Sequence, residues 1–224
     1  MTTLRKNPLV KGKIYHIFNR SIAKFVIFND EKEFARMLET VKYYQSKDCG
    51  DSLSHFIKMK ESEAVNRQNK IKIKLLSDKL VDIIAFCLMP THVHFVLKQL
   101  KDGGISIFMS NIQNSYTRFF NLRHQRKGPL WEGRFKSVLV EDDEQLLHLT
   151  RYVHLNPVTA GLVEKPKDWF ASSYKQYLKQ GVADFSMCNF SDILDIDSGS
   201  YQEFVNDQIS YQRDLAGIKH LVFD

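Results

Sequence analysis

Residues 83–99 read Ile-Ile-Ala-Phe-Cys-Leu-Met-Pro-Thr-His-Val-His-Phe-Val-Leu-Lys-Gln. Two apolar, partly β-branched runs flank Pro90-Thr91, which predicts two strands over 82–89 and 92–99 joined by a tight turn. Side chains alternate between the two faces of a strand, so His92 and His94 share one face while Val93 points into the core. Two imidazoles on one face are a typical pair of metal ligands. Such a pair can also be purely structural, and the pair by itself leaves both interpretations open.

The neighbouring segments predict the fold class. Their order is strand, helix, two strands, helix, strand, helix, which indicates an α+β protein with a ferredoxin-like antiparallel sheet and helices packed on one face of it. The further elements are a strand over 13–19, a helix capped by Asp30 with Glu33 at capping-box spacing, a helix over 106–123 with Ile107, Ile112, Tyr116 and Phe119 or Phe120 as its apolar stripe, a strand over 138–140, and a helix from Asp142 or Asp143 to Asn156 that ends before Pro157.

The chain divides by composition into one domain and a tail. Residues 1–178 carry the predicted elements, and a lysine-rich stretch near 58–74 is expected to be an insertion before the central strands. Residues 179–224 are rich in Asp and Ser, with a candidate helix near 201–215. We therefore expect a domain over 1–178, long enough to bury a sizeable core, and an appended C-terminal tail whose role the sequence does not indicate.

Composition narrows the class of protein. Lys and Arg number 32 against 26 Asp and Glu, a net charge of +6, which favours a polyanionic partner. The three cysteines are far apart and form no C-x-x-C pair, so a disulfide framework and a four-thiolate zinc site are both disfavoured. No apolar run approaches the roughly 20 residues of a membrane span, and no signal peptide is evident. These features predict a cytoplasmic protein without a membrane partner.

Tyr152 and Asn156 are the candidate chemical residues of the last predicted helix. They are four residues apart and fall on one helix face, with His148 one turn earlier. If this face meets the histidine strand, Asn156 offers an oxygen ligand to a metal ion and Tyr152 a nucleophile for a phosphate. The competing tyrosine is Tyr116, whose neighbours at helical spacing make it look like a core residue. His148 and an additional histidine, His154, are alternative metal ligands.

A basic segment with interleaved aromatic residues follows the second helix. Clustered cations with stacking rings are typical of surfaces that bind single-stranded nucleic acid, although charged loops are usually just solvated. The candidate DNA-binding residues, with one from the first strand, are Arg20, Arg123, Arg126, Lys127, Trp131, Arg134 and Lys136.

Four motifs together resemble a known family, the REP-associated tyrosine transposases, which are relatives of the small single-tyrosine HUH transposases. Each motif alone is moderately specific, but they occur in the family's order across roughly residues 10–178. The motifs are Tyr15-His16-Ile17-Phe18-Asn19-Arg20, Met89-Pro90-Thr91-His92-Val93-His94-Phe95, Leu130-Trp131-Glu132-Gly133-Arg134-Phe135-Lys136-Ser137 and Tyr152-Val153-His154-Leu155-Asn156-Pro157-Val158.

The resemblance implies the HUH endonuclease fold and a DNA nicking and strand-transfer enzyme. It implies Mg²⁺ or Mn²⁺ held by His92, His94 and Asn156, with Tyr152 forming a 5′-phosphotyrosine on single-stranded hairpin DNA. The protein would be a monomer or a homodimer.

Two alternative functions remain open. One is a domesticated protein that binds repeat hairpins without moving them. The other is a zinc-dependent hydrolase in which His148 or His154 joins His92 and His94.

Overall fold

The computed structural model describes residues 8–46, 53–58, 78–180 and 187–211. Its centre is a four-stranded antiparallel sheet in the order β2-β3-β1-β4. The predicted α+β, ferredoxin-like fold is confirmed. The strands are β1 (Ile14–Arg20), β2 (Val81–Met89), β3 (His92–Gln99) and β4 (Lys136–Leu139), and the helices are α1 (Glu31–Tyr44), α2 (Leu53–Lys58), α3 (Gly104–Arg123), α4 (Asp143–Thr159), α5 (Tyr174–Tyr177) and α6 (Ser198–Asn206).

The tight hairpin predicted at Pro90-Thr91 joins β2 to β3, with Met89 paired to His92. The backbone carbonyl oxygens of the turn accept hydrogen bonds from residues outside it. Ile27 and Phe28 donate their backbone N–H groups to the Pro90 carbonyl, at 2.8 and 3.2 Å. Because these bonds come from the segment before α1, the turn that leads into the histidines is held by the rest of the fold.

One face of the sheet packs against α1 and α3. The alternating residues Tyr15 and Ile17 of β1 and Val93, Phe95 and Leu97 of β3 point to this side and are buried. They meet the apolar stripes of the two helices, which include Phe34, Met37, Val41, Phe108, Met109, Ile112, Tyr116 and Phe120. The first face therefore forms the main core.

The sequence predicts that the helices pack on one face of the sheet, but this prediction is wrong because they occupy both faces. Helix α4 packs on the opposite face, where Leu146, Val153, Leu155 and Val158 form a second core with residues of β2 and β3. A β-bulge between Ile83 and Ala85 puts Ile84 and Ala85 together in this second core. Apart from Asp82, every residue of β2 is apolar, and these residues serve both cores, so the strand's pattern predicts burial without saying where each helix packs.

The start of α3 and the end of α4 differ from the prediction. Helix α3 begins at Gly104 because Gly103 adopts φ +68° and Gly104 lies against Leu80, where a Cβ would be 2.4 Å from the carbonyl oxygen. The predicted stripe residue Ile107 is exposed, and Ile105 and Phe108 are buried instead.

Helix α4 continues through Pro157 to Thr159, although a stop before the proline was predicted. A proline in the last turn removes one intrahelical bond, and the burial of Leu155 and Val158 offsets that loss.

The described part of the C-terminal tail packs on the second core. Asn189 donates its backbone N–H to Ile83 O, and Phe190 stacks on Tyr177 with ring centroids 3.8 Å apart. Helix α6 begins at Ser198, three residues before the predicted start, and buries Tyr201 and Val205. The lysine-rich stretch after residue 58 and the predicted helix end at 215 lie outside the described residues. No helix in the described ranges is long and apolar enough to cross a membrane.

A polar network joins the tail to α4 inside the second core. His154 is fully buried, its Nδ1 lying 2.6 Å from the Tyr201 hydroxyl and its Nε2 2.7 Å from Ser173 Oγ. Tyr201 also donates to Thr150 Oγ1 at 3.1 Å. Burial lowers the pKa of His154 from 6.5 to about 3, which keeps the imidazole neutral in the folded protein.

We expect the protein to lose stability in mild acid because of His154. Below about pH 6.5 the unfolded chain binds a proton at this histidine, whereas the folded chain does so only near about pH 3, so the free energy of unfolding falls by up to about 1.4 kcal/mol per pH unit. Urea unfolding between about pH 7 and about pH 5 measures this slope. The variant His154→Gln should show a shallower slope than the wild type. A slope equally reduced in His148→Gln, at an exposed position of the same helix, would contradict the prediction.

Candidate functional site

A cleft of about 380 Å³ opens on the second face of the sheet, beside the second core. Strands β1 and β3 form its floor, and α4 forms one wall. The register sets which side chains meet there, because residues opposite each other on paired strands share a face. The lining residues are Phe18, Asn19, Arg20, Lys24, Thr91, His92, His94, Tyr152 and Asn156.

The two histidines of β3 lie on the cleft side with one ring nitrogen each already bonded. His92 Nδ1 is 3.0 Å from Thr91 Oγ1, and His94 Nδ1 is 2.9 Å from His16 Nε2. The ring centroids of His92 and His94 are 5.0 Å apart and nearly perpendicular. When a ligating histidine donates its other N–H to a neighbour, the free nitrogen is the one that binds metal. The Nε2 atoms of His92 and His94 therefore remain for a ligand.

Burial keeps these imidazoles neutral. It lowers the pKa of His94 well below 6.5, with smaller contributions from His16 and His92, and it lowers the pKa of His92, with a smaller contribution from Arg20. The pKa of His16 falls to about 4, also through burial. Only a neutral imidazole has a lone pair to give a metal ion, so the electrostatics suit ligation at neutral pH.

Tyr152 and Asn156 reach the same cleft from α4. Tyr152 is 47% exposed, and its ring lies edge-on to His94, with centroids 5.8 Å apart, and to His16 at 6.0 Å. Asn156 Nδ2 donates to the Tyr152 carbonyl oxygen at 3.0 Å, which fixes the side-chain amide by its nitrogen. The oxygen of that amide is the ligand atom that the sequence had suggested. The structure thus brings all four predicted chemical residues into one cleft.

The other candidates have different surroundings. Tyr116 is buried on the opposite face and donates its hydroxyl to Ile27 O at 2.5 Å. Burial raises the pKa of Tyr116 far above 10, with smaller contributions from Glu33 and Asp30. Both ring nitrogens of His154 are bonded inside the second core, and His148 bonds Arg151. In the part of the chain that the structure describes, no three His, Cys, Asp or Glu residues form a metal-ligand group.

The predicted DNA-binding residues fall into two groups. Lys136 is opposite Phe18 in the β1–β4 register, which places it on the cleft face, and Arg20 lies in the cleft with its Nε 3.2 Å from Glu132. Both are exposed, as are Lys127 and Arg134.

The remaining three bond within the fold. Arg123 pairs with Asp30 and buried Glu33, and Arg126 donates to Asn121 and Pro129 O while its guanidinium lies 5.5 Å from the Phe25 ring centroid. Trp131 is buried and donates to Gln113 O. A role in DNA binding stays a prediction for every member of both groups.

Two residues of the site were missed in the sequence. His16 had been quoted only as part of a motif, and its position opposite Val96 in the β1–β3 register shows that it shares the face of His94. Lys24 lines the cleft, and its φ angle is +56°, while that of the preceding residue, Ala23, is +50°. Positive φ angles are uncommon for residues other than glycine. Alternation along β1 could have indicated His16, but no sequence pattern predicts the backbone at Lys24.

Comparisons with known proteins identify what the chain is similar to. Residues 56–156 match the model of the family described as "Transposase IS200 like", a range that contains His92, His94, Tyr152 and Asn156. The resemblance to the tyrosine transposases is confirmed. A REP-associated tyrosine transposase of Haemophilus influenzae is 31% identical over an alignment of 108 positions, which covers 44% of this chain and 61% of that protein.

A solved structure supports the fold separately. The REP-associated tyrosine transposase bound to a REP hairpin superposes with a TM-score of 0.51 at 16% sequence identity, covering 88% of this chain and 96% of that one. This match covers a larger share of the chain than the family model does. At this identity it supports the architecture and leaves the residue roles to the geometry of the cleft.

We expect Arg123 to stabilise the fold and Lys136 to be dispensable for it. Glu33 is completely buried, and Arg123 Nε is 3.3 Å from its carboxylate, so Arg123→Ala should lower the free energy of unfolding by about 1–3 kcal/mol. Lys136→Ala removes an exposed cation and should leave it unchanged. Urea unfolding of both variants at neutral pH checks this. Equal losses in the two variants would contradict it.

Proposed function

We propose that the protein is a metal-dependent single-stranded DNA endonuclease and strand transferase that acts through Tyr152. The observation that carries the proposal is the meeting of an exposed tyrosine, two neutral histidines with free Nε2 atoms and a fixed amide in one open cleft. These residues lie in a range that matches a transposase family model. A nucleophile beside a cation site is the arrangement that phosphoryl transfer requires.

In the proposed reaction the Tyr152 oxygen attacks a phosphorus of the DNA backbone. An oxygen–phosphorus bond forms to the tyrosine, the bond from phosphorus to the 3′-oxygen breaks, and that oxygen takes a proton and leaves as a 3′-hydroxyl. The phenol proton passes to water or to a nearby base. A 3′-hydroxyl can later attack the 5′-phosphotyrosine and release Tyr152, so the strand is rejoined without ATP.

His92, His94 and Asn156 would hold Mg²⁺ or Mn²⁺ beside Tyr152. The donor set fits a divalent ion, because the two imidazoles are neutral and the Asn156 amide is fixed through its nitrogen. When bound, the ion polarises a non-bridging phosphate oxygen and offsets charge that develops during attack. Arg20, at the same end of the cleft as His92, can contact an adjacent phosphate.

The proposed substrate is hairpin DNA with a single-stranded flank. The solved relative carries a REP hairpin, and the cleft here is open to solvent beside the exposed cations Arg20 and Lys136. Cations that track phosphates give affinity, whereas the bases that are recognised depend on contacts not determined by charge. A monomer or a homodimer can both present this cleft, and light scattering would distinguish them.

Two alternative functions give different results in the same assay. A hairpin-binding protein without strand transfer would retain DNA but form no covalent product. A zinc hydrolase would cleave DNA through a metal-bound water and would not need Tyr152. The bonded nitrogens of His154 disfavour that histidine as the third zinc ligand.

We expect Tyr152→Phe to abolish a covalent protein–DNA adduct. The change removes the attacking oxygen and keeps the ring that contacts His94 and His16. The measurement is incubation with Mn²⁺ and 5′- or 3′-labelled single-stranded hairpins from repeats near the gene, followed by denaturing electrophoresis. The wild type should form an adduct that carries the 3′ label, because a 5′-phosphotyrosine joins the protein to the fragment downstream of the cut. EDTA should prevent formation of this adduct.

Two tyrosine controls define the outcome. Tyr211→Phe changes another exposed tyrosine and should leave the adduct intact, and Tyr116→Phe tests the competing nucleophile. Adduct formation by Tyr152→Phe would overturn the proposal, as would cleavage without any adduct in the wild type. Binding without cleavage would favour the hairpin-binding protein.

We expect Lys136→Ala to weaken hairpin binding without regard to base sequence. Losing one phosphate contact should lower the slope of log K against log salt concentration by about 1. Fluorescence anisotropy over a salt series measures the slope, and Lys175→Ala is a control at an exposed lysine of α5, away from the cleft. An unchanged slope in Lys136→Ala would remove this residue from the DNA-binding surface.

A further inference from the structure

His16 lies next to the cleft, and the proposed reaction leaves it without a role. It lies on β1, two residues before Phe18 on the same face of the strand, and its ring is nearly parallel to that of His94, with centroids 5.2 Å apart and an interplanar angle of 17°. His16 Nε2 is 2.9 Å from His94 Nδ1. It is therefore in direct contact with a candidate metal ligand but does not itself line the cleft.

We propose that His16 is a positioning residue that holds His94 in the tautomer with a bare Nε2 facing the cleft. In this arrangement His16 is the hydrogen-bond acceptor and His94 the donor. The inference rests on the proposed function only for the identity of the ligand, a divalent metal ion. It adds a residue of β1 to a metal site otherwise formed by β3 and α4.

The direction of the bond follows from ring chemistry. Each neutral imidazole has one N–H and one bare nitrogen, so a bond between two of them needs one donor and one acceptor. If His94 donates from Nδ1, its Nε2 is bare and can bind a cation. If His16 donated instead, His94 would carry its proton on Nε2 and the nitrogen that faces the cleft could not ligate.

The surroundings of His16 make it an acceptor of unusual type. Ligating histidines mostly donate to a carboxylate, a backbone carbonyl or water. Here Val96 and Val138 are the residues paired with His16 on the neighbouring strands, and Phe18 lies 4.9 Å from its ring. A neutral acceptor fixes the orientation and tautomer of His94 without adding negative charge, which leaves the net charge of the site to the cation and the phosphate.

The same arrangement couples the site to Tyr152. The edge contacts of the Tyr152 ring with His16 and His94 mean that both imidazole planes define where the phenol sits. A His94 ring free to rotate would change both the ligand direction and the surface against which Tyr152 packs. His16 thus connects the sheet to the nucleophile through one hydrogen bond and two ring contacts.

The test compares two substitutions at position 16. His16→Phe keeps ring volume and removes the acceptor, whereas His16→Gln retains an oxygen that can accept from His94. Mn²⁺ binding is measured without DNA by the electron paramagnetic resonance signal of free Mn²⁺. We expect His16→Phe to weaken Mn²⁺ binding about 10-fold to 100-fold, and His16→Gln to recover most of that loss. His148→Gln, which removes an exposed histidine of α4, is the matched control.

A second measurement uses the wild-type protein and needs no variant to fold. Long-range ¹⁵N–¹H correlation spectra of the metal-free protein report which nitrogen of His94 carries the proton. The proposal expects the proton on Nδ1 of His94 in the wild type.

The outcomes separate this inference from the proposed function. A His94 proton on Nε2, Mn²⁺ binding by His16→Phe equal to the wild type, or a wild type that binds no Mn²⁺ would each overturn the role of His16. A missing Tyr152 adduct, together with the expected tautomer and weakened Mn²⁺ binding in His16→Phe, would overturn the strand-transfer function and leave the His16 inference supported.

Discussion

The antiparallel register between β1 and β3 is the constraint on which the rest of the site depends. It pairs Phe18 with His94 and Arg20 with His92, so these four side chains share the second face of the sheet. A shift by one residue would move every side chain of β1 to the opposite face and would place Tyr15 and Ile17 in the cleft. Burial of Tyr15 and Ile17 in the main core therefore fixes the site indirectly, because the register that buries them also aligns His16 with His94.

The two-sided sheet explains how an open cleft and a packed core share one small fold. On the second face, α4 and the described tail cover β2 and β3, whereas the β1 and β4 side remains accessible, with Val138 51% exposed. Tyr152 stands at the boundary between the covered and open parts. Its neighbours Val153 and His154 are buried, and the tail contacts the same helix through Tyr201. The orientation of the candidate nucleophile is thus set by the core packing of the residues that follow it in α4.

Burial also decides what each basic residue can do. Arg123 and Arg126 belong to the same short basic segment as Lys127, yet Arg123 offsets the buried Glu33 carboxylate and Arg126 braces the loop after α3. The net charge of the sequence does not distinguish these cases, because a guanidinium that neutralises a buried acid has the same formal charge as one in solvent. Lys136 and Arg20 remain accessible because the strand register turns them towards the open face.

The local sequence pattern by itself determined several secondary-structure elements and the pairing of the candidate site residues on each of them. Alternation and turn residues predicted the β2–β3 hairpin and its two histidines on one face, and Asp30 with Glu33 predicted the start of α1, where the Asp30 side chain accepts from the Glu33 N–H. The spacing of Tyr152 and Asn156 put both on one helix face. These features depend on neighbours close in the chain, and the period of a strand or helix encodes them.

Only the tertiary structure decided how distant segments meet. The placement of α4 on the second face, its passage through Pro157, the hydrogen bond of Tyr116 to Ile27 O and the contact of His16 with His94 all depend on residues far apart in the chain. An apolar stripe gives the side of a helix that is buried but not its partner, and one hydrogen bond lost at Pro157 is small beside the packing of Leu155 and Val158. The second core and the cleft arise from this packing.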